Sequence, residues 1–168
     1  PVDFRRISSH FQPERWHPVL GTKRPHRGVD YAAPVGTPVQ ASGDGSVVSV
    51  GWKGGYGNTV VLRHGSRFTT LYGHLSRFRQ GLAPGDRVRQ GDIIGYVGQT
   101  GLATGPHLHY EFRIDGVHQD PVKVDLPGPE PLAPGLLADF REQTDQWVQR
   151  LDQHRRLALA EPRLSESD

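Results

Sequence analysis

The segment Gly105-Pro106-His107-Leu108-His109-Tyr110-Glu111-Phe112 decides the fold. Its apolar side chains at positions 108, 110 and 112 alternate with polar ones at 107, 109 and 111, which is the period of a β-strand with one buried face. The same period places the imidazoles of His107 and His109 together on the opposite face. The pair therefore predicts a metal or proton-transfer site, with an ordinary surface pair as the alternative.

Short β-like segments bounded by glycine lie on the N-terminal side of this strand, and β-branched clusters within them suit a pleated, half-buried surface. The dipeptide Asp115-Gly116 predicts a tight turn directly after it. Residues 1–37, punctuated by proline and glycine, are expected to form an irregular ordered loop over the core. The predicted strands are Pro38–Ser42, Gly45–Trp52, Asn58–Arg63, Phe68–Tyr72, Ile93–Val97 and Leu108–Ile114.

The predicted fold is mainly β: a compact antiparallel β-sheet domain over residues 1–125, then a Pro-rich connector and one C-terminal amphipathic helix over 126–168. The helix is indicated by a 3-4-3-4 spacing of mostly apolar side chains. This stripe must be covered either by the β domain or by a partner, so self-association through the helix is an open alternative. The residues of the stripe are Leu137, Phe140, Thr144, Trp147 and Leu151.

Composition excludes several classes of protein. The 168 residues contain no cysteine, so there is no disulfide framework and no thiolate metal site. No apolar run approaches the ~20 residues of a membrane span. Residues 1–90 carry 13 basic and 5 acidic side chains and residues 91–168 carry 7 and 13. The basic half could meet an anionic polymer such as nucleic acid or cell-wall glycan, or it could be an ordinary solvated surface. No nucleic-acid-binding signature is present, and we expect no such partner. The start at Pro1 favours a mature product or an excised fragment.

Two further motifs carry candidate ligands. His26 and Asp30 lie four residues apart in His26-Arg27-Gly28-Val29-Asp30. Catalytic zinc takes three protein ligands from His and Asp or Glu and keeps a fourth position for water, and one further histidine would complete that set. His74, in Leu71-Tyr72-Gly73-His74-Leu75, is by itself a structural residue or a candidate general base.

With these residues in place, the chain resembles the lysostaphin-type zinc endopeptidases of peptidoglycan, whose signatures are H-x-x-x-D and H-x-H. The resemblance covers roughly residues 17–123, and its flanks look like the catalytic portions of periplasmic cross-link hydrolases of diderm bacteria. Beyond the histidine motifs it rests on Gly36-Thr37-Pro38-Val39, Gly55-Tyr56-Gly57-Asn58, Val88-Arg89-Gln90-Gly91-Asp92-Ile93-Ile94-Gly95, Gly98-Gln99-Thr100-Gly101 and Thr104-Gly105-Pro106.

The resemblance implies roles for five residues. It implies Zn²⁺ as the cofactor, with His26, Asp30 and His109 as its ligands and with His74 and His107 as catalytic residues beside the open position. Zinc lowers the pKa of a bound water to about 7, and one of the two histidines would accept its proton. Which of them is the base stays open.

The implied function is hydrolysis of peptide cross-links in peptidoglycan, between D-alanine and meso-diaminopimelate, in the periplasm or outside the cell. A non-enzymatic cell-wall binder that activates an amidase is the alternative. Glu111 is expected to be either a partner that orients an imidazole or a surface carboxylate. We expect Gly73, Gly101 and Gly105 to allow close backbone approach or positive φ, or simply to form turns. His10, His17, His64, His118 and His154 are expected not to be ligands.

Overall fold

The strand that carries the H-x-H pair lies inside a large antiparallel sheet. The computed structural model describes residues 1–14, 16–17, 22–23, 25–125 and 134–160. The strands are β1 (Arg6–Ser9), β2 (Trp16–His17), β3 (Thr22–Lys23), β4 (Val29–Ala32), β5 (Pro38–Gln40), β6 (Gly45–Trp52), β7 (Asn58–His64), β8 (Phe68–Phe78), β9 (Arg87–Val88), β10 (Ile93–Val97), β11 (His107–Ile114) and β12 (Val117–Gln119).

The main path of the sheet runs β1-β4-β11-β8-β7-β6-β9. Strand β10 pairs with β5 and β8, β12 pairs with β11, and the short β2 and β3 form a separate pair. A 3₁₀ turn, Gly54–Tyr56, precedes β7. All of these pairs are antiparallel, so the predicted fold class is confirmed.

The core covers one face of the sheet, as the alternation in β11 predicts. Leu108, Tyr110 and Phe112 are at most 8% exposed and belong to one hydrophobic cluster. Side chains from other strands join them, and burying this apolar surface is the main driving force for folding. Further members of the cluster are Val29, Tyr31, Val47, Val60, Leu62, Tyr72 and Val88.

The predicted turn after β11 is a hairpin turn. Asp115 and Gly116 both have positive φ, 49° and 82°, and connect β11 to β12. Two positive φ angles are the signature of the type I′ turn, whose twist matches that of the flanking strands.

The expectation that residues 1–37 are irregular is wrong for β1 and β4 and for the short β2–β3 pair. Strand β4 alternates buried Val29 and Tyr31 with half-buried Asp30 and Ala32. Four residues between Gly28 and Ala33 are too few for a local period to stand out, and the strand is held by pairing with β11, about 80 positions away along the chain. Strand β8 also continues six residues beyond its predicted end at Tyr72.

The C-terminal helix is confirmed as α1 (Pro134–Ala160). The chain divides into two compact units, Pro1–Val124 and Asp125–Asp168. Phe140, Trp147 and Leu151 of the apolar stripe are exposed, and self-association through them stays a prediction. The predicted connector falls at 126–133, outside the described residues. In the part of the chain that the structure describes, no helix has the length and apolar character to span a membrane.

Candidate metal centre

Strand register brings the two distant motifs together. In the β4–β11 ladder Asp30 lies directly opposite His109, and Ala32 lies opposite His107. His26 precedes β4, and its backbone is fixed by two hydrogen bonds with Gln12, of 2.8 and 3.0 Å. Side chains of directly paired residues share a face of an antiparallel sheet, so Asp30 and His109 meet on the face opposite the core.

Three side chains form a tight cluster on that face. Asp30 Oδ1 lies 2.8 Å from His109 Nδ1 and 3.1 Å from His26 Nε2, and the two histidine nitrogens are 3.3 Å apart. One ligand atom of each residue lies within 4.8 Å of the others. Two imidazole nitrogens and one carboxylate oxygen are the donor set of a catalytic zinc site with an open fourth position. These residues therefore fit zinc.

The charge of the cluster favours a cation. Burial alone would raise the pKa of Asp30, but hydrogen bonds from His109 and His26 hold it well below its usual range. Burial likewise opposes a charge on His109, yet Asp30 and Glu111 raise the pKa of its imidazole to about 9. The two carboxylates that strengthen proton binding at His109 also strengthen its attraction for a metal ion.

His74 and His107 are oriented alike, because Nδ1 of each ring is held by a backbone carbonyl. His74 Nδ1 donates to the carbonyl of Thr100 at 2.7 Å, and His107 Nδ1 donates to the carbonyl of Gly105 at 2.7 Å. In a neutral imidazole, a proton at Nδ1 leaves a lone pair at Nε2. The rings lie 4.7 Å apart, and Nε2 of His107 is 3.7 Å from Asp30 Oδ1. Both histidines thus stand beside the cluster with Nε2 available to accept a proton.

His74 has an unusual backbone conformation. Its φ of 59° is one of two positive values found for non-glycine residues in the described part of the chain. Such conformations persist where surrounding contacts hold them, and they concentrate at functional sites. For His74 this contact is the hydrogen bond to the Thr100 carbonyl. Thr100 is itself held in place, because its hydroxyl accepts from the Asn58 N–H and donates to the Leu75 carbonyl. Burial lowers the pKa of the His74 imidazole to about 4, so the neutral form is favoured.

Glu111 is a buried carboxylate rather than a surface one. It is fully buried, and it accepts hydrogen bonds from His109 Nε2 (3.3 Å), Tyr56 Oη (2.7 Å) and His118 Nε2 (3.1 Å). Arg113 forms a short ion pair with it. Burial would raise the pKa of Glu111, but the hydrogen bonds from these partners lower it to about 2. Because His109 Nε2 donates to Glu111, its Nδ1 is left to face Asp30 and His26.

These groups line one open groove of about 1050 Å³. It contains all five residues singled out by the sequence and also Tyr56, whose ring packs 5.4 Å from that of His109. Leu102, Ala103 and Thr104 lie along it. A groove of this kind suits an extended peptide more than a small enclosed ligand.

The other histidines are engaged elsewhere or exposed, among the side chains that the structure describes. His64 bonds to the Asp44 carbonyl and to Thr70, and His118 contacts Glu111. His10 and His154 are exposed, and the side chain of His17 lies outside the described part. None of those described belongs to the His26, Asp30 and His109 cluster.

Close backbone approach and positive φ are found at Gly101, whereas Gly105 has neither and lies in a bend, which agrees with the alternative of simple turn formation. Gly101 has a φ of 75°, and a Cβ there would lie 2.5 Å from the Gly57 nitrogen. At Gly105 nothing lies within 4 Å of an added Cβ and φ is not positive. At Gly73 an added Cβ would meet ordinary contacts, the nearest at 3.4 Å from the Tyr56 carbonyl oxygen.

Gly28 is a residue that the sequence reasoning missed, although it lies inside the H-x-x-x-D motif. A Cβ at Gly28 would overlap the carbonyl oxygen of Tyr110 and would lie 2.9 Å from His109 Cε1 and 3.0 Å from Glu111 Cγ. Glycine is therefore required for β4 to pack against β11. Tyr56 and Thr100 were also missed as site residues, because they contact the histidines only through loop packing.

We expect Gly28→Ala to lower the free energy of unfolding by about 1–3 kcal/mol, because an added methyl group in a packed site forces backbone to shift. Urea unfolding of the metal-free protein measures this. Gly105→Ala is the matched control, and it should change stability by no more than about 0.5 kcal/mol because its Cβ would project into open space. Equal stability of the two variants would contradict the close-packing argument.

Two histidines and an aspartate at an open groove of an antiparallel β domain, with two more histidines beside them, are features typical of a metallopeptidase domain. Residues 24–121 match Peptidase family M23, and the chain belongs to that family.

Several relatives support this membership. The chain is 44% identical over 160 residues to the peptidoglycan DD-endopeptidase ShyC of Vibrio cholerae, covering 95% of this chain and 36% of that one. It is 57% identical over 130 residues to the DD-carboxypeptidase/endopeptidase Mpg of Neisseria meningitidis, covering 77% and 29%. The chain thus spans about a third of the length of these curated relatives.

Solved structures give the same result. A zinc-containing peptidase from Vibrio cholerae superposes with a TM-score of 0.71 at 43% identity, covering 76% of this chain and 39% of that one. The catalytic domain of lysostaphin from Staphylococcus simulans gives a TM-score of 0.61 at 33% identity, covering 70% and 89%. The fold expected from the resemblance is confirmed.

Proposed function

We propose that this chain is the catalytic part of a zinc-dependent endopeptidase that hydrolyses peptide cross-links in bacterial peptidoglycan. The observation that carries the proposal is the arrangement of five side chains that line one groove. His26, Asp30 and His109 form a zinc-type ligand set, and His74 and His107 present their Nε2 atoms beside it. The names of the relatives ShyC and Mpg support the same substrate class.

Zinc bound by His26, Asp30 and His109 would polarise a peptide carbonyl and lower the pKa of the attacking water toward about 7. The histidines then move protons. Since Nδ1 of both His74 and His107 is engaged by a backbone carbonyl, each neutral ring accepts a proton at Nε2. Once protonated there, a ring can donate to the developing oxyanion or to the leaving amine.

The proposed scissile bond joins D-alanine to meso-diaminopimelate of the neighbouring stem peptide. Support comes from the DD-endopeptidase names of the relatives. We place the protein in the periplasm or outside the cell, because that is where such a substrate lies. The alternative of a non-enzymatic activator gains no support from the site, since all five residues are present and close together.

The test is digestion of diaminopimelate-type sacculi by the zinc-loaded chain, analysed by chromatography with mass spectrometry. We expect conversion of cross-linked dimers to monomers, loss of this conversion after chelation, and recovery when zinc is restored. If zinc is bound and the dimers persist, the activator role replaces the hydrolase.

A further inference from the structure

A row of hydrogen-bond donors crosses the sheet at the far end of β11. Six strands contribute one residue each, and each pair of neighbours in the row is directly opposite in the ladder. Every member can donate a hydrogen bond, and none is acidic or apolar. The donor row, in spatial order, is Arg87, Ser46, Arg63, Thr69, Arg113 and His118.

The donor row lies on the same sheet face as the metal centre. Its chain neighbours Val88, Val47 and Leu62 all belong to the hydrophobic core, so the row itself points the other way. On β11, Arg113 follows His109 by four residues with the same alternation. At about 3.3 Å per residue, the row lies roughly 13 Å along the strand from the metal cluster.

The donor row carries uncompensated positive charge. Arg63 and Arg87 are exposed, and neither has an ion pair among the described residues. Arg113 is held in place by its ion pair with buried Glu111. In the turn after β11, Asp115 is already paired with Arg67 at 2.7 Å. Of the 13 basic side chains in residues 1–90, the donor row contains two, Arg63 and Arg87, and both are exposed.

We propose that the donor row binds carboxylates of peptidoglycan stem peptides adjacent to the cross-link held in the groove. Guanidinium groups recognise carboxylates through paired, charge-assisted hydrogen bonds, and serine and threonine hydroxyls between them add further donors. Stem peptides that end in D-alanine or contain diaminopimelate present free carboxylates along the polymer. The row has no Phe, Tyr or Trp on which a nucleic-acid base would stack, which disfavours that partner. The substrate class rests on the proposed function.

Binding is tested separately from cleavage. The full chain, treated with chelator so that no hydrolysis occurs, is incubated with purified sacculi and the bound fraction is measured at low salt and at 0.5 M NaCl. For Arg63→Gln/Arg87→Gln we expect about a tenfold loss of affinity at low salt, and a small difference at high salt where exposed charges are screened. Arg141→Gln/Arg155→Gln is the control, because it removes the same charge from exposed positions on α1.

The outcomes are distinct. Loss of binding in the donor-row variant, with the control variant unchanged, supports the proposal even if no cleavage is ever found. Wild-type binding by the donor-row variant, or an equal loss in the control, overturns it.

Discussion

Replacing His107 by alanine is expected to lower the rate of cross-link hydrolysis by about 10²–10⁴-fold, the usual contribution of a positioned general acid or base. The zinc content should stay at the wild-type level, because His26, Asp30 and His109 remain. Metal analysis checks the zinc content. Turnover of a soluble cross-linked dimer, measured on the same sample, checks the rate of hydrolysis. The split between intact metal and lost turnover distinguishes a proton-transfer residue from a ligand.

Further histidine variants test whether His74 and His107 act together. His74→Ala should behave in the same way, and the double variant should lose little more than either single one, because residues that act as a unit are not additive. His154→Ala, at an exposed position on α1, should retain full activity. Persistence of activity on sacculi in His107→Ala would exclude the mechanism.

The local sequence pattern was sufficient to predict the strand that carries the site. Alternation over 107–112 correctly assigned one face to the core and the other to the imidazoles. The dipeptide Asp115-Gly116 correctly predicted a turn, since two positive φ angles favour those residues. Both signals are short-range, and both are set by backbone geometry within a few residues.

The pairing register of the strands and the contacts made by loops could not be predicted from local sequence patterns. The pairing of Asp30 with His109 depends on β4, which is too short to be recognised locally and exists because β11 lies beside it. The ligand set was therefore assigned by resemblance rather than by spacing. The hydrogen bond between His74 in β8 and the Thr100 carbonyl likewise depends on a loop that meets the strand from 26 positions away, and a histidine at positive φ has no sequence signature.

The second large effect is expected at Glu111, which we infer to be a positioning residue for the metal. Glu111→Gln should weaken zinc binding by about 10–100-fold, the usual range when the partner of a metal-bound histidine is altered. Competition with a chromophoric chelator gives the Kd directly and needs no turnover. The physical reason is the contact between Glu111 and His109 Nε2, which leaves Nδ1 of that ring facing Asp30.

Glutamine keeps the size of the side chain but not its charge. As a carboxylate, Glu111 accepts from four neighbours at once, including the Arg113 guanidinium. An amide has one acceptor oxygen and must point its NH₂ group at some of these donors. The charged Arg113 guanidinium attracts the amide oxygen more strongly than the His109 imidazole does, so the NH₂ group turns toward His109 Nε2. The imidazole then loses its acceptor and is no longer held against rotation.

The zinc Kd and the unfolding of the metal-free protein together distinguish a structural role of Glu111 from a positioning role. Asp115→Asn removes the charge from an exposed carboxylate that also pairs with an arginine, and zinc binding should stay unchanged there. Tyr56→Phe removes one donor to Glu111 while keeping the carboxylate, so the Kd should change less than in Glu111→Gln and the fold should be preserved. If metal-free Glu111→Gln unfolds like the wild type and binds zinc with the wild-type Kd, Glu111 neutralises Arg113 and does not position His109. If zinc binding weakens while that unfolding is unchanged, the carboxylate acts through the orientation of one imidazole.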